Sequence, residues 1–294
     1  MGGALVIKHA AARSRRGGAL ARLRADVAAA RMLARCDVSL VSIALYPIRR
    51  RLPNGRSRVD LRNGFTITAP ASEPLLFLFR EIWVDRCYDT GRLAIGPGDT
   101  VVDIGAHVGV FALWVAAREP RARIIAVEPS PRAAPYLRRN LARSGRSDVV
   151  VVESACGGQA GRAGLYARGP EMMNSLFAAG PRTRADPVDV SVITLDDLFE
   201  RYDVRSCALL KLDCEGAEYG IILGARAETL ARIRSIAMEY HRGIGDHVPE
   251  DLSRRLAACG FSVRLVPSAT DPVHGYLYAV RSETADASDG ATVR

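Results

Sequence analysis

The chain has 294 residues, 41 basic against 32 acidic side chains for a formal charge of +9, and 48% hydrophobic residues. Such a composition builds one or two globular domains with a buried core, and it excludes a disordered chain, a collagen and a disulfide-stapled miniprotein. The six cysteines (Cys36, Cys87, Cys156, Cys207, Cys214 and Cys259) are scattered without a Cys-x-x-Cys pair, so they read as reduced thiols of a cytoplasmic protein.

The charge is uneven. Residues 1–62 hold 14 basic and 3 acidic side chains, whereas residues 63–294 hold 27 and 29. A basic segment of this kind reads first as a solvated arginine-rich extension. Weak peripheral contact with an anionic membrane is the alternative, and no nucleic-acid partner is expected. No apolar run approaches the ~18 residues of a membrane span. The best candidate, Val38 to Ile48, follows Asp37 and is too short. Arg13, Arg15, Arg16, Arg22 and Arg24 stand where a secretory signal would need its apolar region.

In chain order, Leu20, Leu23, Val27, Ala30 and Ala34 predict an amphipathic helix within residues 1–35, packed on the body or paired with another copy in a homodimer. Pro53-Asn54-Gly55 and Arg62-Asn63-Gly64 bracket short alternating runs and predict a hairpin, because Asn and Gly accept positive φ. Ser72 to Tyr88 predicts a helix capped by Ser72, with Leu75, Leu76, Phe79, Ile82 and Trp83 on one face.

From Thr100 onward, short apolar runs alternate with amphipathic helices. Val101–Ile104, Ile124–Val127, Val149–Val152, Ala208–Leu212 and Ser235–Glu239 predict strands covered on both faces. Val108–Arg118, Arg132–Ser144, Leu195–Tyr202, Ala217–Leu223 and Pro249–Cys259 predict helices. Alternation of this kind implies an α/β fold with a doubly wound, mostly parallel sheet. Phe261–Val266 and Gly275–Val280 add an antiparallel hairpin at its edge. Gly157 to Val190 exceeds an ordinary βα loop and reads as a lid or substrate loop. The expected organisation is a basic extension over 1–94, an α/β core over 95–282 and a disordered tail over 283–294.

Ligands of open α/β sheets bind at the carboxyl ends of the strands, where strand order reverses. The first strand leaves through Asp103-Ile104-Gly105-Ala106-His107-Val108-Gly109, with Gly105 for a sharp turn and Gly109 for a close approach. This is neither the G-x-G-x-x-G of dinucleotide binding nor a P-loop. The second strand leaves through Glu128-Pro129, and a carboxylate there accepts hydrogen bonds from ribose hydroxyls. Asp103 and Glu128 together would favour a cationic nucleoside and repel a pyrophosphate, which fits S-adenosylmethionine. Ser154, after the third strand, is expected near the adenine.

Lys211, Asp213, Glu215 and Glu218 crowd the end of a buried strand, which implies a paired network or a site. Asp213 would reach the reactive end. Glu239 and His241 end the next strand, and His241 is a candidate general base.

These residues resemble the FkbM-type methyltransferase family, a branch of the class I S-adenosylmethionine-dependent enzymes. The likeness is carried by Val101 to Gly109, by Glu128-Pro129-Ser130-Pro131 with Asn140-Leu141, by Lys211 to Glu218 followed by Leu223-Gly224-Ala225, and by Glu239-Tyr240-His241. Asn174-Ser175-Leu176 and Thr194 to Leu198 fit the segment between. His107 stands where the family more often has Asn.

The resemblance implies a seven-stranded Rossmann-like sheet and methyl transfer from S-adenosylmethionine to a hydroxyl of a small molecule, a sugar or other natural product. With the reading of the strand tips above, Asp103, Gly105, Ala106, His107, Gly109, Glu128, Pro129, Ser154 and Asp213 are expected at the cofactor. Asp213, His241 and Lys211 are the candidates for catalysis and Glu215 and Glu239 for the acceptor, while the family pattern itself assigns no catalytic base. Hard oxygen donors on Asp213, Glu215 and Glu239 leave a magnesium site open as an alternative, although no metal is expected. An NAD-linked dehydrogenase and a non-catalytic binding protein are the competing classes.

Overall fold

The computed structural model describes residues 27–28, 30–31, 33, 38–43, 45, 56–89, 95–166, 174–177, 186–243, 246–268 and 271–281. Leu20, Leu23, Ala34, Cys36, Pro53-Asn54-Gly55, the tail over 283–294 and much of the 157–190 segment lie outside these residues. Of the expected N-terminal stripe, Val27 is exposed, whereas Leu33, which the periodicity left out, is fully buried in the core.

Strands β1 (Arg56–Asp60) and β2 (Thr66–Pro70) pair antiparallel, Val59 opposite Ile67. Their turn uses Asn63-Gly64 as expected, with Gly64 at φ +89°. Helix α1 (Leu75–Phe79) runs on into a π-helical turn, Arg80–Val84. Its N-cap is Pro74, without a side-chain bond, so Ser72 does not cap it. A residue before proline is pushed out of the helical region, and Glu73 therefore keeps the helix from starting earlier.

The core begins with β3 (Thr100–Ile104), α2 (Val110–Arg118), β4 (Arg123–Val127), α3 (Ala134–Arg143) and β5 (Val150–Val152). Next come β6 (Ala155–Cys156), β7 (Gly161–Leu165) and β8 (Val188–Ile193), which form a small separate sheet in the order β6-β8-β7. The segment 157–190 is thus more than a loop, since its two flanks pair antiparallel as β7 and β8. The chain continues through α4 (Leu195–Arg201), β9 (Cys207–Leu212), α5 (Glu218–Gly224), α6 (Ala227–Ala231), β10 (Ile233–His241), α7 (Pro249–Ala258), β11 (Phe261–Pro267) and β12 (His274–Arg281).

The main sheet has seven strands in the order β11-β12-β10-β9-β3-β4-β5. Strands β10, β9, β3, β4 and β5 are mutually parallel, and β12 is antiparallel to both its neighbours. The closing hairpin is present, but its second strand is inserted between β10 and β11 rather than lying outermost.

Strand period two sends alternate side chains to opposite faces. Val101, Ile124 and Leu209 face one core, shared with the hairpin, α1, α2 and α3. Val102, Ile125 and Leu210 face a second, shared with α4, α5 and α7. Burial on both faces explains why these strands read as continuous apolar runs. The described cysteines Cys87, Cys156, Cys207, Cys214 and Cys259 are free thiols. Among the described residues no helix is long and apolar enough to cross a membrane.

Candidate active site

Strand order reverses between β3 and β9, which opens a crevice at their carboxyl ends. The loop leaving β3 folds over that edge. Gly105 N and Ala106 N both donate to Val127 O at 3.0 Å, tying the loop to β4, and Asp213 N donates to Ile104 O at 3.1 Å, tying it to β9. Gly105 sits at φ +78°, and a Cβ there would overlap the Asp213 carbonyl oxygen, so only glycine fits. His107 also takes a left-handed backbone, φ +50°, a region that Asn, Asp and His enter more readily than other side chains.

Glu128, at the tip of β4, is buried and held by two backbone donors. His107 N donates to Oε2 at 2.7 Å and Ser130 N to Oε1 at 2.8 Å. Burial pushes the carboxyl up, against the lowering effects of His107 and these N–H groups. On its other side, His107 Nε2 lies 3.3 Å from the buried carboxylate of Glu73.

Asp103 does not reach the crevice, contrary to the sequence-based placement. It is fully buried, and its register partner across the β3–β9 ladder is Lys211, whose Nζ lies 3.1 Å from Oδ1. Burial raises the Asp103 carboxyl and Lys211 opposes the rise. Burial alone would lower Lys211, but Asp103 and Asp213 outweigh it and bring the ammonium up to about 12. Lys211 Nζ also donates to Gly105 O at 2.8 Å. It is therefore a buried strut under the loop rather than a side chain open to a substrate. Asp213, two residues along the same strand direction, does face the crevice, with Tyr88 Oη donating to its Oδ2 at 2.8 Å.

The tip of β10 carries a second network. His241 Nδ1 is 3.4 Å from Glu218, and Nε2 is 3.3 Å from Glu215 and 4.0 Å from Glu239. Burial disfavours the imidazolium, yet Glu218, Glu215 and Glu239 together raise its pKa to about 10. The surrounding carboxylates thus favour the imidazolium, which disfavours the general-base role expected of His241. Glu218, fully buried, accepts from Cys214 N and Gly216 N and so holds the turn after β9. His274, opposite His241 in the β10–β12 register, lies 3.6 Å from Glu239.

These edges border a partly open cavity, lined by Gly105, His107, Glu128, Pro129, Ser154, Asp213, Glu215 and Glu239 among the residues singled out from the sequence. Ala106, Gly109, Asp103, Lys211 and His241 do not line it. Ala106 is buried in the core, and Gly109, at φ +89°, starts α2 close against α3, where a Cβ would meet Leu137 at 2.7 Å. The Ser154 hydroxyl is spent on Ser191 O at 2.9 Å.

Sequence reasoning missed Glu81, Leu78 and Cys156 in the lining, and Glu73, Tyr88, Tyr276 and His274 behind it. Asn174 and Leu176, in the one described part of the 167–185 segment, also line the cavity; their Asn-Ser-Leu run was visible but given no role. Ser175 between them donates to Glu215 O at 2.6 Å, docking this segment on the turn after β9. Among the described lining residues five are carboxylates and none is Lys or Arg. Among the described residues no group of three or more His, Cys, Asp or Glu is placed to hold a metal ion.

The family model of the methyltransferase FkbM domain matches residues 103–263, more than half of the chain. The chain belongs to the FkbM methyltransferase family. It is a methyltransferase on a Rossmann-like α/β sheet. The chain is 29% identical over 210 residues to 31-O-demethyl-FK506 methyltransferase FkbM of Streptomyces tacrolimicus, covering 62% of this chain and 80% of that protein. It is 30% identical over 192 residues to methyltransferase sdnD of Sordaria araneosa, covering 55% and 73%. A solved methyltransferase FkbM from Methylobacillus flagellatus KT superposes with a TM-score of 0.48 at 14% identity, over 86% of this chain and 58% of that one.

Proposed function

We propose that the protein transfers the methyl group of S-adenosylmethionine to a hydroxyl oxygen of a small molecule, a sugar or other natural product. The observation that carries this reading is the cavity across the carboxyl edge, with five carboxylates and neither Lys nor Arg in its described lining. Such a wall favours a cationic ligand and disfavours a pyrophosphate in a partly desolvated space. The name of the Streptomyces relative, 31-O-demethyl-FK506 methyltransferase, supports oxygen as the target atom.

The lining runs across the strand tips in the sheet's own order: Glu239 on β10, Asp213 after β9, Gly105 after β3, Glu128 after β4 and Ser154 after β5. Neighbouring strands lie about 4.8 Å apart, so Glu128 and Asp213 are separated by roughly 10 Å along the edge. Glu128, its two oxygens oriented by backbone N–H groups, would hold vicinal ribose hydroxyls. Gly105 would let the backbone lie close to the nucleoside, and Pro129 and Ser154 would flank the base. Bound S-adenosylmethionine supplies an electrophilic methyl group on a positively charged sulfur.

Asp213 is the candidate proton acceptor. Its carboxylate would take the acceptor's O–H proton as the acceptor oxygen gains the methyl group that S-adenosylmethionine would supply, the methyl–sulfur electron pair remaining with the sulfur. Glu215 and Glu239, at the far end, would hydrogen-bond the acceptor's other hydroxyls. Proximity supplies much of the rate in such an in-line displacement.

Calorimetry with S-adenosylmethionine and with NAD, followed by transfer of a labelled methyl group to a panel of hydroxylated acceptors, tests the reading. Binding of the sulfonium compound without NAD, and its weakening at least ~10-fold in Glu128→Gln through loss of a charge-assisted hydrogen bond, are expected. Equal binding of NAD, or unchanged affinity in that variant, would overturn it.

A further inference from the structure

Among the described residues, the polar side-chain contacts of Asp213 fall on one of its two oxygens. Tyr88 Oη donates to Oδ2 at 2.8 Å, and Lys211 Nζ lies 3.9 Å from the same atom. Tyr88 is almost completely buried, while Asp213 is 27% exposed and lines the cavity. The Tyr88 ring is pinned edge-on by Phe111 at 5.7 Å and by Tyr276 at 6.0 Å, and Lys211 Nζ lies over it at 5.3 Å. A phenol packed on three sides has a fixed donor direction. Burial and the neighbouring Asp213 also push its own ionisation well above the ordinary tyrosine range, so it remains a neutral donor at working pH.

We propose that Tyr88 is a positioning residue for methyl transfer: its hydroxyl anchors Asp213 Oδ2 and leaves Oδ1 to the acceptor hydroxyl. This rests on the reading of Asp213 as proton acceptor. Other groups facing Asp213 are Lys211 on its own strand, Asp103 on β3, Cys214 beside it in the chain and Cys87 from the segment after α1. Asp213 in turn raises both Lys211 and Asp103. Both thiols are pushed up by burial and stay uncharged. Tyr88 is the group that donates a hydrogen bond at ordinary length, and a bond made to the ionised form lowers a carboxyl pKa.

The site-resolved titration of Asp213 tests this without an acceptor. Aspartate labelled with carbon-13 at the carboxyl is followed by NMR across pH, the Asp213 signal being the one lost in Asp213→Asn. In Tyr88→Phe its midpoint rises by about one pH unit. In Tyr278→Phe, which removes a neighbouring phenol bonded to Cys87 O at 2.6 Å, it does not move. A purely structural role predicts that the two variants behave alike. Should Tyr88→Phe fail to fold, 3-fluorotyrosine at position 88, a stronger donor, lowers the midpoint instead. An unmoved midpoint in the folded Tyr88 variants overturns the inference and leaves the methyltransferase reading standing. Full methyl transfer by Asp213→Asn would overturn the role of Asp213 and leave the titration result intact.

Discussion

His241 is a case where one side chain changes meaning once its neighbours are known. In the sequence it is an imidazole at a strand tip, with an ordinary pKa suited to base catalysis. In the fold three carboxylates surround it, and its pKa rises to about 10 after the opposing effect of burial. A group whose folded pKa exceeds its unfolded value of ~6.5 stabilises fully below that value, loses the contribution as pH rises, and contributes nothing above the folded pKa. The stability difference between the native chain and His241→Gln is therefore expected to be flat below about pH 6.5. From there to about pH 10 it shrinks by up to about 1.4 kcal/mol per unit. Urea titrations at a series of pH values measure it. A difference that grows with pH would show that the histidine is held neutral and would reinstate it as a base. Lys211 is a second instance: it and Lys8 are the only lysines in an arginine-rich chain, which marks the position but not its duty. That duty follows from register, because a parallel ladder sets Lys211 beside Asp103, and no spacing along the chain reports which residues of distant strands will face each other.

Between elements, Asn140 fastens the hairpin to the core. From α3 its Oδ1 accepts from Thr68 N at 2.9 Å and Thr68 Oγ1 at 2.7 Å, and its Nδ2 donates to Thr68 O and Val108 O, both at 2.8 Å. One fully buried amide thus joins β2, α3 and the turn before α2. Asn140→Leu strands these partners away from water and is expected to cost about 2–4 kcal/mol, with faster hydrogen exchange at the Thr68 amide. A loss below about 1 kcal/mol, or unchanged exchange, would mean that apolar packing alone seats the hairpin. The same scale explains what the sequence disclosed. The five parallel strands were legible because each is buried on both faces, and their helices because an amphipathic period marks them; a side-chain cap supports α4, where the Thr194 hydroxyl accepts from Asp197 N. The small β6-β8-β7 sheet was not. β6 has two residues, and β7, Gly-Arg-Ala-Gly-Leu, buries only Leu165, so neither carries a hydrophobic period. The α1 cap failed for a local reason, Pro74, that the sequence did contain.

Across the whole molecule, the candidate site was half legible. The tips of β3, β4, β9 and β10 were found from the sequence because chemistry at strand ends is a property of the fold. The wall that closes them comes from residues 73–88, which precede all four tips in the chain. Tyr88 bonds Asp213, Glu81 accepts from Tyr276 at 2.8 Å, Glu73 flanks His107, and Trp83 Nε1 donates to Val110 O at 3.3 Å. Such contacts depend on how a layer docks, which composition and period do not encode. They also make a physical claim about cooperativity, since Val59, Ile67, Leu75 and Phe79 share one core with Val101, Phe111 and Leu113. A layer appended by a linker would melt on its own, whereas one that shares a core should unfold with the sheet.

The chain's two tryptophans stand on either side of that junction: Trp83 in the layer, stacked on Phe79, and Trp114 in α2, stacked on Phe111. Tryptophan fluorescence of Trp114→Phe then reports the layer, and that of Trp83→Phe reports α2, each referred to circular dichroism of the same variant. Coincident urea transitions within each variant are expected, because a two-state unit loses all its probes together. If the Trp83 signal fell at lower urea than the circular dichroism, the layer would open before the sheet. The carboxylates would then lose their covering wall while the strand tips remained folded, and site completion would be a separate equilibrium rather than a consequence of folding.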